Sequence, residues 1–198
     1  MTSERKREVT RADILPTEVY SAERPEWRRK LAEVKRARRI AVGPHATFYF
    51  ETYMTMWYQV QEMLFIEKGG EDQIADELAA YNPLVPKGDE LVATVMFEID
   101  EPERRQRFLA QVGGVEETAF LKVGSETVAG RPEADMDRTS AAGKASSVQF
   151  IHFPFTPEQA AAFKADGAEI VLGFSHPAYA HMTQLTEPVR AALAADLD

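Results

Sequence analysis

Residues 39–67, RIAVGPHATFYFETYMTMWYQVQEMLFIE, change their hydrophobic period once, and that change decides the fold. Up to Glu51 the residues alternate like two short strands around Gly43-Pro44, a turn pair. From Tyr53 the period becomes helical, with Tyr53, Met56, Trp57, Val60, Met63 and Leu64 on one broad face. A helix that is apolar around most of its circumference has to be buried on more than one side. The strands that precede it therefore belong to a sheet that helices cover.

Working outward towards the C-terminus, residues 71–81 read as a second helix, stopped by Asn82-Pro83-Leu84-Val85-Pro86-Lys87-Gly88. Residues 90–99 alternate as a strand rich in Val, Thr and Phe, and 101–112 form a charged helix ended by Gly113-Gly114. Gly124-Ser125 marks a hairpin between strands near 118–123 and 126–129. The Ala-, Ser- and Gly-rich stretch 130–146 has little to bury and is expected as a mobile loop. A strand at 147–155, a helix capped by Thr156 with Pro157 in its first turn, a strand at 169–174 and a helix at 186–196 complete the chain. Towards the N-terminus, Thr10-Arg11-Ala12-Asp13 has capping-box spacing and Pro16 stops that turn early. Pro25 then opens a helix whose Trp27, Leu31 and Val34 form an apolar stripe. The pattern predicts an α+β protein: an antiparallel or mixed sheet covered by helices, one domain over 1–198, with residues 1–37 as an N-terminal helical arm.

The chain has 198 residues, 44% hydrophobic and 28% charged, enough to bury a core without staples. It has no cysteine, which excludes disulfides, thiolate metal sites, a self-ligated iron–sulfur cluster and a cysteine nucleophile. With a polar start (MTSERKREV) and no apolar run near the ~20 residues that span a bilayer, a cytoplasmic location without a membrane is expected. The net charge of −9 is split unevenly. Residues 1–39 carry 12 Lys/Arg against 7 Asp/Glu, and residues 40–198 carry 11 against 25. The basic run Arg28, Arg29, Lys30, Lys35, Arg36, Arg38 and Arg39 faces away from the Trp27 stripe. It is either a solvated helix face or a contact for a partner, and the acidic remainder disfavours nucleic acid.

No Gly-rich nucleotide loop, HExxH or GxSxG signature is present. The chemistry is sought in polar residues set among apolar ones. Thr55, Gln59 and Glu62 form a polar stripe on the greasy helix. A carboxylate taken inside must be paired, hydrogen-bonded, protonated or metal-bound. Alternation places His45, Thr47, Tyr49 and Glu51 on one strand face, washed by solvent or lining a pocket. In Ser175-His176-Pro177-Ala178-Tyr179-Ala180-His181, Pro177 suits the first turn of a helix, so His176 would stand at its start and His181 one turn in. His152 shares a face with Val148 and Phe150 and reads as a core histidine. Should the three polar sets converge, Glu51, Glu62, His176 and His181 are the candidate metal ligands. His45, Gln59, Tyr49 and Tyr179 would stand around them, and the set would suit non-haem iron, manganese or zinc.

Four stretches carry a family resemblance: Phe50-Glu51 through Gln59-Val60-Gln61-Glu62-Met63; Tyr81-Asn82-Pro83-Leu84-Val85-Pro86; His152-Phe153; and His176-Pro177-Ala178-Tyr179-Ala180-His181. With the opening Thr10-Arg11-Ala12-Asp13-Ile14-Leu15-Pro16, they resemble the bacterial family known as domain of unknown function 3501 across nearly the whole chain. Thr52 departs from the Asn that follows Glu51 in many relatives. The resemblance implies genes beside those of rubrerythrin-type di-iron proteins and of iron–sulfur proteins similar to heterodisulfide reductase subunits. It thereby implies an accessory factor of a redox or oxidative-stress system, with a rubrerythrin-like or iron–sulfur partner protein. The alternatives are a non-haem metal-binding oxidoreductase built on the His/Glu pocket, and nucleic-acid binding through the basic arm.

Overall fold

A computed structural model describes residues 6–133 and 143–198. The chain runs α1 (Thr17–Arg36), β1 (Arg39–Val42), β2 (Ala46–Phe50), α2 (Tyr53–Glu67), α3 (Glu71–Tyr81), β3 (Glu90–Phe97) and α4 (Pro102–Gln111). It continues through β4 (Ala119–Val123), β5 (Glu126–Ala129), β6 (Arg131–Pro132), β7 (Val148–Pro154), α5 (Pro157–Lys164), β8 (Ile170–His176), β9 (Tyr179–Gln184) and α6 (Glu187–Ala194). The class is α+β and every strand pairing is antiparallel. The strands form two sheets, ordered β1-β2-β3-β7-β6 and β5-β4-β8-β9.

The sheets bury a shared core. Phe48 and Phe50 of β2, Leu91, Val95 and Phe97 of β3 and Ile151 and Phe153 of β7 cluster with Leu121 of β4 and Ile170, Leu172 and Phe174 of β8. Leu109, Phe163 and Leu193, from α4, α5 and α6, complete this cluster. The other face of the five-stranded sheet lies under a helical layer, where Val92 and Phe150 meet Tyr20, Met56, Trp57, Val60 and Ile74. β3 is thus covered on both faces, which is why Leu91, Val92 and Ala93 are all buried and its sequence is almost continuously apolar.

The described N-terminal residues pack into the helical layer. Val9, Ile14, Tyr20 and Leu31 are buried in the helical layer, and Asn82 exchanges two hydrogen bonds with the Val9 backbone, at 2.8 and 2.9 Å. Pro25 lies inside α1 rather than opening it; Ser21 and Pro25 are both exposed, so the carbonyl left without a helical donor faces solvent. Of the stretch expected as a mobile loop, Gly130–Glu133 is tied to its neighbours through β6, and Ala145 is buried with its N–H on Leu109 O. The rest of that expectation, 134–142, lies outside the described residues.

The largest correction concerns 176–181. Pro177-Ala178 is a two-residue turn between β8 and β9, with His176 opposite Tyr179, and no helix begins there. The residue before proline is held extended, and proline's fixed φ fits a tight turn as well as a helix start. The β-forming sequence that follows settles the choice. No helix among the described residues is long and apolar enough to cross a membrane.

Candidate functional site

Glu62 shows why the expected ligand pocket does not form. Thr52 caps α2 through reciprocal bonds with Thr55, and the helix lies with Trp57 against Trp27 of α1, ring centroids 4.6 Å apart. This packing puts Tyr20 and Arg24 over Glu62. The Arg24 guanidinium donates Nε–H and Nη2–H to the two carboxylate oxygens at 2.7 and 2.8 Å, and Tyr20 OH donates at 2.5 Å. The Arg24 bonds outweigh desolvation and hold the carboxyl at a pKa of about 2. Its oxygens are engaged within the helical layer and it has no histidine partner.

Glu51 is handled differently. It is buried at the end of β2, where Thr55 OH donates to Oε2 at 2.5 Å and Thr94 OH to Oε1 at 2.6 Å. Burial raises its pKa against those two hydroxyl bonds. A carboxyl that holds its proton more tightly when folded makes stability fall as pH rises from the ordinary carboxylate value to the raised one. Glu51→Gln is therefore expected to flatten that limb in urea unfolding between about pH 4 and pH 8, with stability within about 1 kcal/mol of the parent or above it. A loss greater than that would mean that the ionised carboxylate is needed.

His45, Tyr179 and His181 do come together, at the β1–β2 turn. Tyr179 stacks against His45 and meets His181 edge-on, at 6.5 and 4.6 Å between ring centroids, and Phe108 of α4 closes on both Tyr179 and His45. Tyr179 OH donates to Val42 O at 2.7 Å and accepts from the N–H groups of His45 and Ala46 at 3.0 and 2.9 Å, so it is committed to holding a turn. Burial lowers the His45 pKa, helped by Arg104. His176 braces its own turn, with Nδ1 accepting from Ala178 N–H and Nε2 facing Gly113 O. Tyr49 and Thr47 donate to Glu98, and Gln59 reaches Tyr81 OH at 3.4 Å. Among the described residues no group of three or more His, Asp or Glu is arranged to hold a metal ion. Glu51, Glu62 and His176 make separate hydrogen-bonded contacts, and His181 packs edge-on against Tyr179.

Sequence reasoning missed one feature and left another without its limits. The first is His152, which is not packed as an apolar core residue. Its Nδ1 lies 2.9 Å from Glu90 and its Nε2 3.0 Å from Glu133. No local spacing signals this, because the partners come from β3 and from the end of β6.

The second is the extent of the α1 basic face. Docking through Trp27, Leu31 and Val34 leaves Arg28, Arg29, Ala32, Lys35 and Arg36 exposed. At 100° per residue these five span roughly 120° of the helix, with Ala32 near the middle. Glu26 and Glu33 fall outside that arc, and Glu26 is already paired with Lys30. Arg28, Arg29, Lys35 and Arg36 make no ion pair among the described residues. Lys35 and Arg36 complement the helix C-terminus. Arg28 and Arg29 are two turns inside and have no such role.

A three-layer α+β scaffold, a helical layer on two antiparallel sheets with a cationic outer face, is the class of protein that these features define. The family model described as "Protein of unknown function (DUF3501)" matches residues 8–197, and the chain belongs to that family. Among solved structures, the chain is similar to a protein of unknown function from Burkholderia pseudomallei K96243. The identity is 37% and the TM-score 0.89, over 96% of this chain and 99% of that one. No curated protein matches the chain.

Proposed function

We propose that this protein is an accessory factor that binds an acidic protein surface on the outer face of α1. The observation that supports this is the cluster Arg28, Arg29, Lys35 and Arg36, four exposed cations that make no ion pair among the described residues, on a chain of net charge −9. Concentrating cations on one face of an acidic body orients an approaching anionic partner and speeds encounter. A protein surface fits better than a nucleic acid, because the net −14 of residues 40–198 repels an extended phosphate chain. The partners that the family resemblance suggests are a rubrerythrin-type di-iron protein and an iron–sulfur subunit similar to those of heterodisulfide reductase.

The test is a binding titration of the full chain against each purified partner at about 50 and 500 mM salt, beside a duplex DNA probe. Binding to one partner, weakened by salt, is expected. Charge reversal at Arg28, Arg29, Lys35 and Arg36 together is expected to weaken it at least roughly thirtyfold, about 2 kcal/mol spread over four exposed pairs. Binding that ignores the reversal, or none to either partner, overturns the proposal. Retention of DNA alone moves the reading to nucleic acid.

A further inference from the structure

We infer that His152, held between Glu90 and Glu133, is a proton-operated latch: it keeps β6 on the outer edge of β7 and frees that edge when the ring loses its charge. The charged ring satisfies this geometry with two donors. Each imidazole nitrogen faces a carboxylate oxygen, at 2.9 and 3.0 Å, and a neutral ring has a single N–H. Deprotonation would set a nitrogen lone pair against one of the two carboxylates.

The latch matters because β6 is short. It is two residues long, Arg131 opposite His152 and Pro132 opposite Ile151, and proline has no N–H to give the ladder. Beside the ladder itself, Glu133 N–H donates to Phe150 O at 2.9 Å. Immediately before it, Gly130 N–H donates to Ala119 O, and a Cβ there would lie 2.8 Å from Ile151, so Gly130 is anchored against its neighbours and a release of β6 begins after it. Glu90 from β3 and Glu133 from the end of β6 are the charged groups facing the ring. Arg131, its neighbour across the ladder, is exposed, and the β7 residues on that side, Val148, Phe150 and Pro154, carry no charge.

Burial opposes the charge on His152, but the two carboxylates prevail and raise its pKa above the ordinary histidine value. A raised histidine contributes fully below the unfolded-state pKa and loses its contribution as pH rises through the folded one. The latch therefore opens on the alkaline side. An uncovered β7 edge presents free backbone donors and acceptors, the surface to which an added strand binds.

Amide hydrogen exchange on the full chain, corrected for the intrinsic rise of exchange rate with pH, tests this. The Glu133 amide is expected to lose protection at least tenfold between pH 6 and pH 9 while the Leu121 and Leu172 amides keep theirs. In His152→Gln the loss is expected to be present at both pH values. Glu133→Gln, a change at the end of the strand that leaves the ring in place, serves if His152→Gln fails to fold and is expected to show the same loss. Protection of Glu133 that is independent of pH overturns the latch. So does a ring whose nitrogen-15 shifts show it neutral at pH 6.

Discussion

Tyr179→Phe is expected to lower the unfolding free energy by about 3–5 kcal/mol, read from urea midpoints at neutral pH. The hydroxyl serves three backbone groups of one turn, the Val42 carbonyl and the N–H groups of His45 and Ala46, and Tyr179 is only 2% exposed. Phenylalanine keeps the ring contacts with Phe97, Phe108 and Phe174 and removes nothing else, so the loss measures the unsatisfied groups. Each buried orphan costs about 1–3 kcal/mol, and some relief from water entering at the rim is already in the range given. Gly43 sits at φ +68°, and a Cβ there would come 2.6 Å from the His181 ring. Gly43→Ala is expected to destabilise as well, through both the left-handed backbone and that contact. A loss below about 1 kcal/mol for Tyr179→Phe would mean that the β1–β2 turn is not held from β9.

This turn also shows where sequence reading succeeds and where it stops. Gly43-Pro44 identified the hairpin, and α2 and α3 span the residues that their periodicity predicts, 53–67 and 71–81, because their ends are written locally: Thr52 as cap, Lys68 in the left-handed conformation, Gly70 before the next helix. Gly124-Ser125 likewise fixes the β4–β5 register at Val123 opposite Glu126. Alternation tells which residues share a face but not which layer covers that face. The division of the strands into two sheets was therefore not readable, nor was the burial of β3 on both sides. Pro177 carries the same ambiguity at short range, since its fixed φ serves a turn or a helix start. The candidate site failed for a related reason. Glu62 was correctly read as a carboxylate needing a partner, but that partner comes from α1, 38 residues upstream. Tyr20 and Arg24, seven and three residues before Trp27, extend the docking stripe. They are the signal that a longer reading of the α1 pattern would have used.

Glu62→Ala is expected to cost about 2–4 kcal/mol at neutral pH, because it strips Arg24 of a two-pronged partner and removes the carboxylate to which the buried Tyr20 hydroxyl donates. The side chains of Arg24 and Glu62 are 31% and 14% exposed, which keeps the value below that of a fully buried pair. The two lost contacts can be separated. In a double-mutant cycle with Arg24→Met, the coupling reports the ion pair, and a second cycle of Glu62→Ala with Tyr20→Phe reports the tyrosine hydroxyl. The pH dependence gives an independent check. Glu62 has a folded-state pKa of about 2, against an ordinary value of 4.5, so its contribution is fully present above the ordinary value. It is lost as pH falls from that value towards the folded one, where the folded carboxyl also takes up its proton. Glu62→Gln should therefore be less stable than the parent at neutral pH and should approach it as the pH drops into this acid window. A difference that stays constant down to the acid end would show that charge on Glu62 contributes nothing and that shape alone holds α1 on α2. The basic face of α1 would then owe its orientation to the tryptophan pair and the apolar stripe, without help from the ion pair behind it.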